Sequence, residues 1–444
     1  MRAPTPCSRL PLAAACAALL LSRLVVLSDA FSCSGGRPSN SRSPGLHLRS
    51  AASSSSTEET ATSATIGDQH EIEPRGDPTT ELFHDFATFL QSTQHSIISQ
   101  LESVVESGSG QTFSEDRWGG LSNRTYSDPP LTSSTTTSGG ITRVIQDGDV
   151  IEKGACSLTI IPNGKLTADR AAAISGRKND RPANHKNVRE GDQFSAAALS
   201  IVLHTRSPLV PTFRSDVRIF LVRSSAGAEG GDGDEEEDGD GDGGDDDGTT
   251  AVAWFGGGAD LTPYYLFDDD ITEFHGKQKE LCDAYFPPTG DDGDGGQLAD
   301  DAFTYATMKR NCDDYFFLPA RQEHRGVGGT FYDDMPATEH TLAFTKAMAE
   351  SWLPSWLPIV ERRKDMAYTD RQREWQLLRR GRYLEFNLLY DRGVRFGLAG
   401  AHPRVEGVMV SAPPLIAWEY NHVIEEGSEE ERLMTILKEP IDWA

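Results

Sequence analysis

The sequence is poor in basic residues and poor in apolar ones. Its 444 residues include 42 Lys and Arg against 68 Asp and Glu, which gives a formal net charge of −26. Binding a nucleic-acid backbone requires clustered Lys and Arg, so this balance argues against a general nucleic-acid-binding protein. Hydrophobic residues make up 37% of the chain, which is low for a wholly globular protein. Part of the chain is therefore expected not to pack into a core.

The sequence also lacks the spacings that mark disulfide frameworks and zinc sites. Its six cysteines contain no C-x-x-C pair, and its eleven histidines contain no H-E-x-x-H or H-x-H pattern. We therefore predict no metal site and no set of disulfide bridges. His204 and His275 are the weak candidates for metal ligands, because only the fold could bring two such distant side chains together.

The N-terminus has the composition of a targeting segment. Arg2 and Arg9 precede the apolar stretch 10–27, and small residues end it near Ala30. This pattern predicts a signal peptide over residues 1–30, and no later segment is long and apolar enough to span a bilayer. Residues 31–78 begin with Ser-rich, Arg-containing sequence that lacks acids up to residue 57, as in transit peptides. We predict a two-part plastid address; a mitochondrial address, or a secretory signal followed by a disordered linker, is the alternative.

Two stretches account for much of the acidic excess. Twelve Asp and Glu lie between Glu229 and Asp247, and five more lie in 291–301, with no Lys or Arg among them. Such stretches cannot bury apolar surface, so we predict disordered insertions at about 224–249 and 289–301 of a single catalytic domain, 79–444. Asp238, Asp240 and Asp242 fit the first half of a calcium-binding loop, but its twelfth position is Thr249 instead of Glu.

Periodicity predicts an α+β fold with a large, mainly antiparallel sheet flanked by helices on both faces. Apolar residues recur every three or four positions from residue 79 to 105, which predicts a long helix. Further predicted helices cover 270–285, 337–350 and 370–380. The predicted strands are 141–145, 197–204, 217–222, 251–255, 383–390, 394–398 and 408–411.

Three consecutive glycines, 256–258, follow one predicted strand and precede Asp260. Glycine permits close backbone approach, but the spacing does not match a dinucleotide-binding loop. The Asp260 carboxylate could accept protons from a ligand rich in N–H groups, or it could cap the following turn. The sequence alone leaves both interpretations open.

The stretch 371–404 is basic within an acidic protein. It contains eight Arg and no Lys, against three acidic residues. Guanidinium groups suit bidentate recognition of carboxylate or phosphate, so a small polyanion is favoured over nucleic acid; salt-bridged surface arginines are the alternative. Alternation predicts a β-hairpin here, with Tyr383, Glu385 and Asn387 on one strand face.

These segments together resemble the oxygen-dependent coproporphyrinogen III oxidases over about residues 79–444. The resemblance is carried by Trp254–Tyr265, by Cys312–Asp334 and above all by the run from Arg379 to Leu398, RRGRYLEFNLLYDRGVRFGL. The matches Trp418-Glu-Tyr420 and Asp442-Trp443 add to it. The resemblance implies a homodimer that uses dioxygen, without metal or organic cofactor, to convert two of the four propionates of coproporphyrinogen III to vinyl groups, giving protoporphyrinogen IX.

The resemblance also implies site residues. Asp260 matches the family's proposed acceptor of pyrrole N–H protons, and with Arg218 it forms the predicted catalytic set. The predicted substrate-binding residues are Ser200, Asp216, Arg218, Arg382, Arg392, Arg404, Tyr383 and Asn387.

The sequence departs from the family pattern at several of these positions. Where the family usually reads Pro-Thr-x-His-x-Asn-x-Arg, this chain has Arg214 for the histidine and Asp216 for the asparagine. Ala320 replaces the first histidine of the family's His-Arg-x-Glu-x-Arg-Gly motif. An alternative is therefore a porphyrinogen-binding paralogue that is non-catalytic or has altered specificity.

Overall fold

One antiparallel sheet of seven strands organises the protein, in the order β1-β2-β3-β4-β5-β6-β9. The computed structural model describes residues 78–122, 138–175, 188–225, 249–287, 301–398 and 403–444, all within one compact unit, Ile72–Ala444. The sheet strands are β1 (Ser114–Gly119), β2 (Gly139–Gln146), β3 (Ile151–Lys165), β4 (Gln193–Thr205), β5 (Thr212–Ser225), β6 (Thr249–Thr262) and β9 (Gly328–Pro336). The short strands β7 (Phe317–Leu318) and β8 (Glu323–His324) pair with each other.

Helices precede, interrupt and follow the sheet strands along the chain. The longer ones are α1 (Pro78–Gln100), α3 (Asp268–Tyr285), α4 (Tyr305–Tyr315), α5 (Glu339–Glu350), α6 (Trp352–Arg363), α7 (Asp370–Leu389) and α10 (Glu429–Lys438). The shorter ones are α2 (Ala168–Ser175), α8 (Arg392–Leu398) and α9 (Val405–Val408). Helix α1 continues into a π-helical turn, Leu101–Val105, and single 3₁₀ turns lie at Asp301–Phe303 and Met409–Ser411.

Alternation along the central strands gives the sheet two different faces. On β5, the side chains of Phe213, Val217 and Ile219 are fully buried. They join the main apolar core with Phe86 and Leu90 of α1. Burying each such side chain contributes about 1.5–3 kcal/mol, so this face anchors the sheet to its helices.

The α+β architecture and the antiparallel sheet are confirmed, as are the helices predicted at 79–105, 270–285 and 337–350. The four predicted strands at 141–145, 197–204, 217–222 and 251–255 lie within β2, β4, β5 and β6. No described helix has the length and apolar character needed to cross a membrane. The predicted signal peptide, transit segment, acidic insertions and calcium loop lie outside the described residues, apart from boundary residues.

The predicted hairpin at 383–398 is wrong. Helix α7 continues through 383–389, and α8 replaces the second strand. The buried positions Trp375, Arg379, Tyr383 and Phe386 recur at helical spacing, whereas the period-two pattern in so short a run was ambiguous. Asp391 lies between the two predicted strands; its Oδ1 accepts a hydrogen bond from Val394 N (2.9 Å), which caps the start of α8.

The strand predicted at 408–411 is wrong as well. Val408 ends α9, and residues 409–411 form a 3₁₀ turn. This segment packs beside the sheet instead of extending it: Lys153 Nζ on β3 donates to the Ala412 carbonyl (2.8 Å). An apolar run of four residues does not distinguish a strand from a short buried turn.

Candidate active site

Charged side chains occupy alternate positions on the second face of the sheet. Arg214, Asp216 and Arg218 follow one another at every second residue of β5, so all three point away from the main core. Asp260 on β6 lies directly opposite Arg214 in the strand register. Ser200 on β4 lies opposite Asp216. The strand alternation therefore collects four of the predicted site residues, together with Arg214, on one surface.

Short side chains form the floor of this surface. One register row crosses five strands and is polar throughout: Asp116, Thr142, Ser157, Ser200 and Asp216. With strands about 4.8 Å apart, the row is roughly 19 Å long. These side chains are short, so they would not obstruct a broad, flat ligand that lies on the sheet. We call the sheet face formed by this row together with Arg214, Arg218 and Asp260 the polar trough.

Two glycines leave no room for further side chains on β6 beside the trough. A Cβ on Gly256 would lie 2.7 Å from both Arg218 Nη2 and Asp333 Oδ1, and a Cβ on Gly258 would lie 2.1 Å from the Thr330 carbonyl oxygen. Side chains at these two positions would displace an ion pair and a neighbouring strand. Gly256 and Gly258 are thus explained by the close approach of charged side chains and backbone.

The trough arginines are held by carboxylates. Asp216 Oδ1 is 2.5 Å from Arg214 Nη1, and Asp216 Oδ2 accepts a hydrogen bond from Arg218. Asp333 on β9 contacts Arg218 through Oδ1 (3.1 Å) and Arg392 through Oδ2 (3.6 Å). Burial alone would raise the pKa of Asp216, but Arg214 and Arg218 outweigh it and hold that pKa below its ordinary value. This carboxylate is therefore ionised at neutral pH.

Asp260 lies at the base of the trough in a buried ion pair. Its Oδ2 is 2.7 Å from Arg325 Nη2, and the two side chains are 4% and 1% exposed. The Arg325 guanidinium lies over the rings of Phe316 and Tyr383, at 3.9 and 4.4 Å from their centroids. Burial would lower the pKa of Arg325, but the Asp260 charge outweighs it and the net pKa is raised. Oδ1 of Asp260 is buried and has no hydrogen-bond partner among the described residues.

Helix α7 places two further predicted residues beside the sheet. Tyr383 packs against Ala155 and Val202, and its ring meets that of His204 edge-on at 5.0 Å. Asn387, four residues later on the same helix face, donates from Nδ2 to Ser411 Oγ (3.4 Å). The helix turns Glu385 to its other side, so the predicted grouping of Glu385 with these two residues is wrong.

The remaining predicted arginines, Arg392, Arg404 and Arg382, pair with three different carboxylates. Arg392 contacts Asp333 and lies over the Tyr315 ring, at 4.8 Å from its centroid. Arg404 pairs with Asp116 at 2.6 Å, at the β1 end of the trough. Arg382 instead pairs with Glu385 at 3.0 Å, and the described contacts do not bring it to the trough.

The two candidate metal ligands do not share partners. His204 Nε2 is 2.9 Å from the Ser411 carbonyl oxygen, so it donates there and leaves Nδ1 to accept from Thr212 Oγ1 (3.2 Å). His275 Nδ1 is 2.9 Å from the Tyr305 hydroxyl. Within the described ranges, no group of three His, Cys, Asp or Glu side chains could hold a metal ion.

Comparison with known proteins agrees with this geometry. A family model described as coproporphyrinogen III oxidase matches residues 85–443. The chain belongs to this family. It is 35% identical to the chloroplastic coproporphyrinogen-III oxidase 1 of Arabidopsis thaliana and 36% identical to the oxygen-dependent enzyme of Drosophila melanogaster, each over 81% of this chain and 78% of the relative. It is 38% identical to the mitochondrial oxygen-dependent enzyme of Mus musculus over 69% of this chain and 60% of that protein.

Family membership confirms the resemblance drawn from the motifs, and the structure adds two residues to which the motifs gave no role. Arg325 and Asp333 both lie in the glycine-rich segment 312–334. Their sequence signal was the combination of charged residues with Gly326, Gly328 and Gly329. A charged side chain can pack directly against the backbone of a glycine; the Arg218–Asp333 pair does so at Gly256 on β6.

Two buried neutral histidines make the stability of the protein depend on pH. Burial, assisted by the charge of Arg380, holds the pKa of His204 well below its ordinary value, and burial lowers that of His275 to about 3. Below about pH 6.5 these histidines bind protons in the unfolded chain but stay neutral in the folded one. The free energy of unfolding therefore falls on acidification, by up to about 1.4 kcal/mol per pH unit for each histidine.

We expect the unfolding free energy, measured by urea denaturation, to fall from pH 7 to pH 5. In His275→Asn this loss should be smaller than in the wild type, whatever the stability of the variant at pH 7. An equal loss in both proteins would show that His275 does not carry the effect.

Proposed function

We propose that this protein is an oxygen-dependent coproporphyrinogen III oxidase that converts coproporphyrinogen III to protoporphyrinogen IX in tetrapyrrole (haem and chlorophyll) synthesis. The observation that carries the proposal is the free Oδ1 of Asp260 at the base of an arginine-lined trough. A porphyrinogen has a ring of four pyrrole N–H donors and four peripheral propionates. Such a molecule needs a central acceptor and peripheral cations, which is the arrangement of the polar trough.

Asp260 acts on the centre of the substrate, and the arginines act on its peripheral propionates. Asp260 accepts hydrogen bonds from pyrrole N–H groups and stabilises the positive charge that develops there, while Arg218 holds a propionate beside it. Arg392 and Arg404 bind more distant carboxylates. Ser200 and Asp216 line the floor, and Tyr383 and Asn387 lie alongside it. Arg382 remains in the proposed set on the family resemblance alone.

The chemistry follows from the reactivity of the macrocycle and dioxygen. Each reacting propionate loses one β-hydrogen and releases its carboxyl group as carbon dioxide, which leaves a vinyl group. Dioxygen accepts the two electrons released, the β-proton and one further proton from the solvent, and becomes hydrogen peroxide. The reduced oxygen species serves as the base for the β-hydrogen, and the protein orients the propionate and stabilises the electron-deficient ring.

We propose further that dioxygen is the only co-reactant and that neither metal nor organic cofactor takes part. This is supported by His204, whose two ring nitrogens are both used in hydrogen bonds to protein groups. The assay below, run with and without EDTA, tests this point: loss of turnover with EDTA that added divalent metal restores would contradict it.

The assay mixes purified residues 79–444 with anaerobically reduced coproporphyrinogen III and then admits air. We expect protoporphyrinogen IX from the wild type, none without dioxygen, and a decrease in kcat of about 10²–10³ in Asp260→Asn, the range seen when one electrostatic catalytic group is lost. Asp85→Asn, which removes an exposed carboxylate paired with Lys346, is the control and should retain activity. Retention of the tetrapyrrole without product in the wild type would contradict the proposed function.

A homodimer is proposed from exposed apolar side chains near the C-terminus. Trp418 is 56% exposed, Tyr420 92% and Val423 84%. Large apolar side chains clustered on a surface mark interaction sites, and a second copy of the chain is the partner that the family resemblance implies.

We expect residues 79–444 to have the mass of a dimer in size-exclusion chromatography with light scattering. Tyr420→Asp with Val423→Asp should shift it to the monomer, because charges would be buried in the interface. Val104→Asp alters an exposed apolar residue elsewhere and should leave the dimer intact. A dimer that survives the double substitution would place the interface on another surface.

Targeting to a plastid is proposed from residues 1–78. The basic and apolar start, followed by an Arg- and Ser-rich stretch, supports a two-part address, and relatives from Arabidopsis thaliana and Glycine max are named as chloroplastic. The mouse relative is named as mitochondrial.

A fluorescent protein fused behind residues 1–78 should enter plastids in an algal cell with secondary plastids, and one fused behind residues 1–30 should stop in the secretory pathway. Import of the longer fusion into mitochondria would contradict the plastid address.

A further inference from the structure

Arg214 lies between two carboxylates and contacts only one of them. Asp260 lies directly across from it on β6, and directly paired side chains on neighbouring strands have Cβ atoms about 4.5–5.5 Å apart. The long guanidinium side chain can span that distance. Arg214 instead turns along its own strand to Asp216, with Nη1 2.5 Å from Oδ1.

Asp260 has its one close ion pair on its other oxygen. Arg325 binds Oδ2 at 2.7 Å, whereas Oδ1 is buried and without a hydrogen-bond partner in the described part of the chain. Burial would lower the pKa of Arg214, but the charges of Asp216, Asp260 and Asp391 outweigh it and hold that pKa above its ordinary value, so Arg214 interacts electrostatically with Asp260. Arg214 is therefore charged, close and attracted to Asp260, yet held elsewhere.

We propose that Asp216 is a positioning residue that keeps Arg214 away from Asp260, so that Oδ1 of Asp260 stays free for substrate. This role rests on the proposed function and goes beyond a contact of Asp216 with substrate. Without the Asp216 charge, Arg214 can turn across the strand pair to Oδ1 of Asp260, which is an unpaired acceptor on the residue directly opposite. A guanidinium bound there would occupy the position of a pyrrole N–H group.

The departures from the family pattern at positions 214 and 216 are consistent with this role of Asp216. The two positions at which the β5 motif differs from the family pattern are the two ends of this ion pair, and they add opposite charges. A cation at position 214 without an anion at position 216 would block Asp260. The two departures compensate each other physically, and each is explained by the other.

The inference predicts an unusual order of activities in three variants: Asp216→Asn, Arg214→Gln and the double variant. Asp216→Asn should lower kcat at least about tenfold, because a buried, charge-assisted hydrogen bond from Arg214 would then occupy Asp260. Arg214→Gln should have a smaller effect, because Arg218 still holds Asp216. The double variant should recover most of the kcat lost in Asp216→Asn, since no cation remains to occupy Oδ1.

Comparing Asp216→Asn with the double variant distinguishes a positioning role of Asp216 from a general loss of site structure. Asp216→Asn also removes a partner of Arg218, but this loss is common to the single and the double variant, so their difference reports Arg214 alone. Asp268 and Arg432 form a matched, exposed pair at 2.6 Å outside the site; Asp268→Asn, Arg432→Gln and their double should all behave as the wild type. If the Arg214→Gln/Asp216→Asn enzyme is no faster than Asp216→Asn, the proposed positioning role is wrong.

A crystal structure of Asp216→Asn gives a readout that does not depend on turnover. We expect Arg214 within hydrogen-bond distance of Oδ1 of Asp260; an Arg214 side chain that keeps its place beside residue 216 would overturn the inference. If the wild type makes no protoporphyrinogen IX, the proposed function fails, and this structure still decides whether Asp216 holds Arg214 away from Asp260.

Discussion

The buried ion pair between Asp260 and Arg325 is the interaction on which the site depends. Removing a carboxylate from water is costly unless an opposite charge and further contacts compensate it. Arg325 supplies the charge, and its own guanidinium is covered by Phe316, Tyr383 and Phe386. The pair therefore links β6, the segment before β9 and α7. Two of the three rings, those of Tyr383 and Phe386, belong to α7, so the helix encloses the charged group where it packs beside the sheet.

The charged side chains of the sheet lie on one of its two faces. One face is apolar and packs under α1, whereas the other carries Arg214, Asp216 and Arg218 on neighbouring pleats. Asp216 and Asp333 each contact two arginines and share Arg218. Three arginines therefore face two carboxylates in this group, which leaves it one net positive charge. A guanidinium group has five N–H donors, so these arginines can bind carboxylates of a ligand while they keep their contacts with Asp216 and Asp333. The trough is thus suited to a polyanion that adds to the existing ion pairs.

The sheet brings the predicted central residues together, whereas part of the edge was predicted with the wrong secondary structure. Asp260, Arg218, Ser200 and Asp216 were predicted from the family resemblance, and the strand register places all four on one face. Periodicity alone predicted the shorter strands 217–222 and 251–255, which leave out Asp216 and Asp260. Tyr383 to Tyr390 fitted both a strand and a helix, and only the buried contacts of Tyr383 and Phe386 decide for the helix. Arg325 could not be assigned because its partner is 65 residues earlier in the chain. The eight arginines of 371–404 likewise do not show in the sequence which of them lie along the trough and which, like Arg382, pair with a neighbouring glutamate.

The geometry also restricts how protons can move during the proposed reaction. Where the family pattern has a histidine, Arg214 has a raised pKa and stays charged. His204 is held neutral with both nitrogens engaged, and the pKa of Tyr383 is raised to about 12 by burial. None of these three groups can both give and take a proton near neutral pH. The protein then acts through fixed charges, while the protons pass between the porphyrinogen and the oxygen species that it reduces. A site built from arginines and carboxylates is suited to this division, because it holds the substrate's charges in place without competing for the protons that dioxygen must collect.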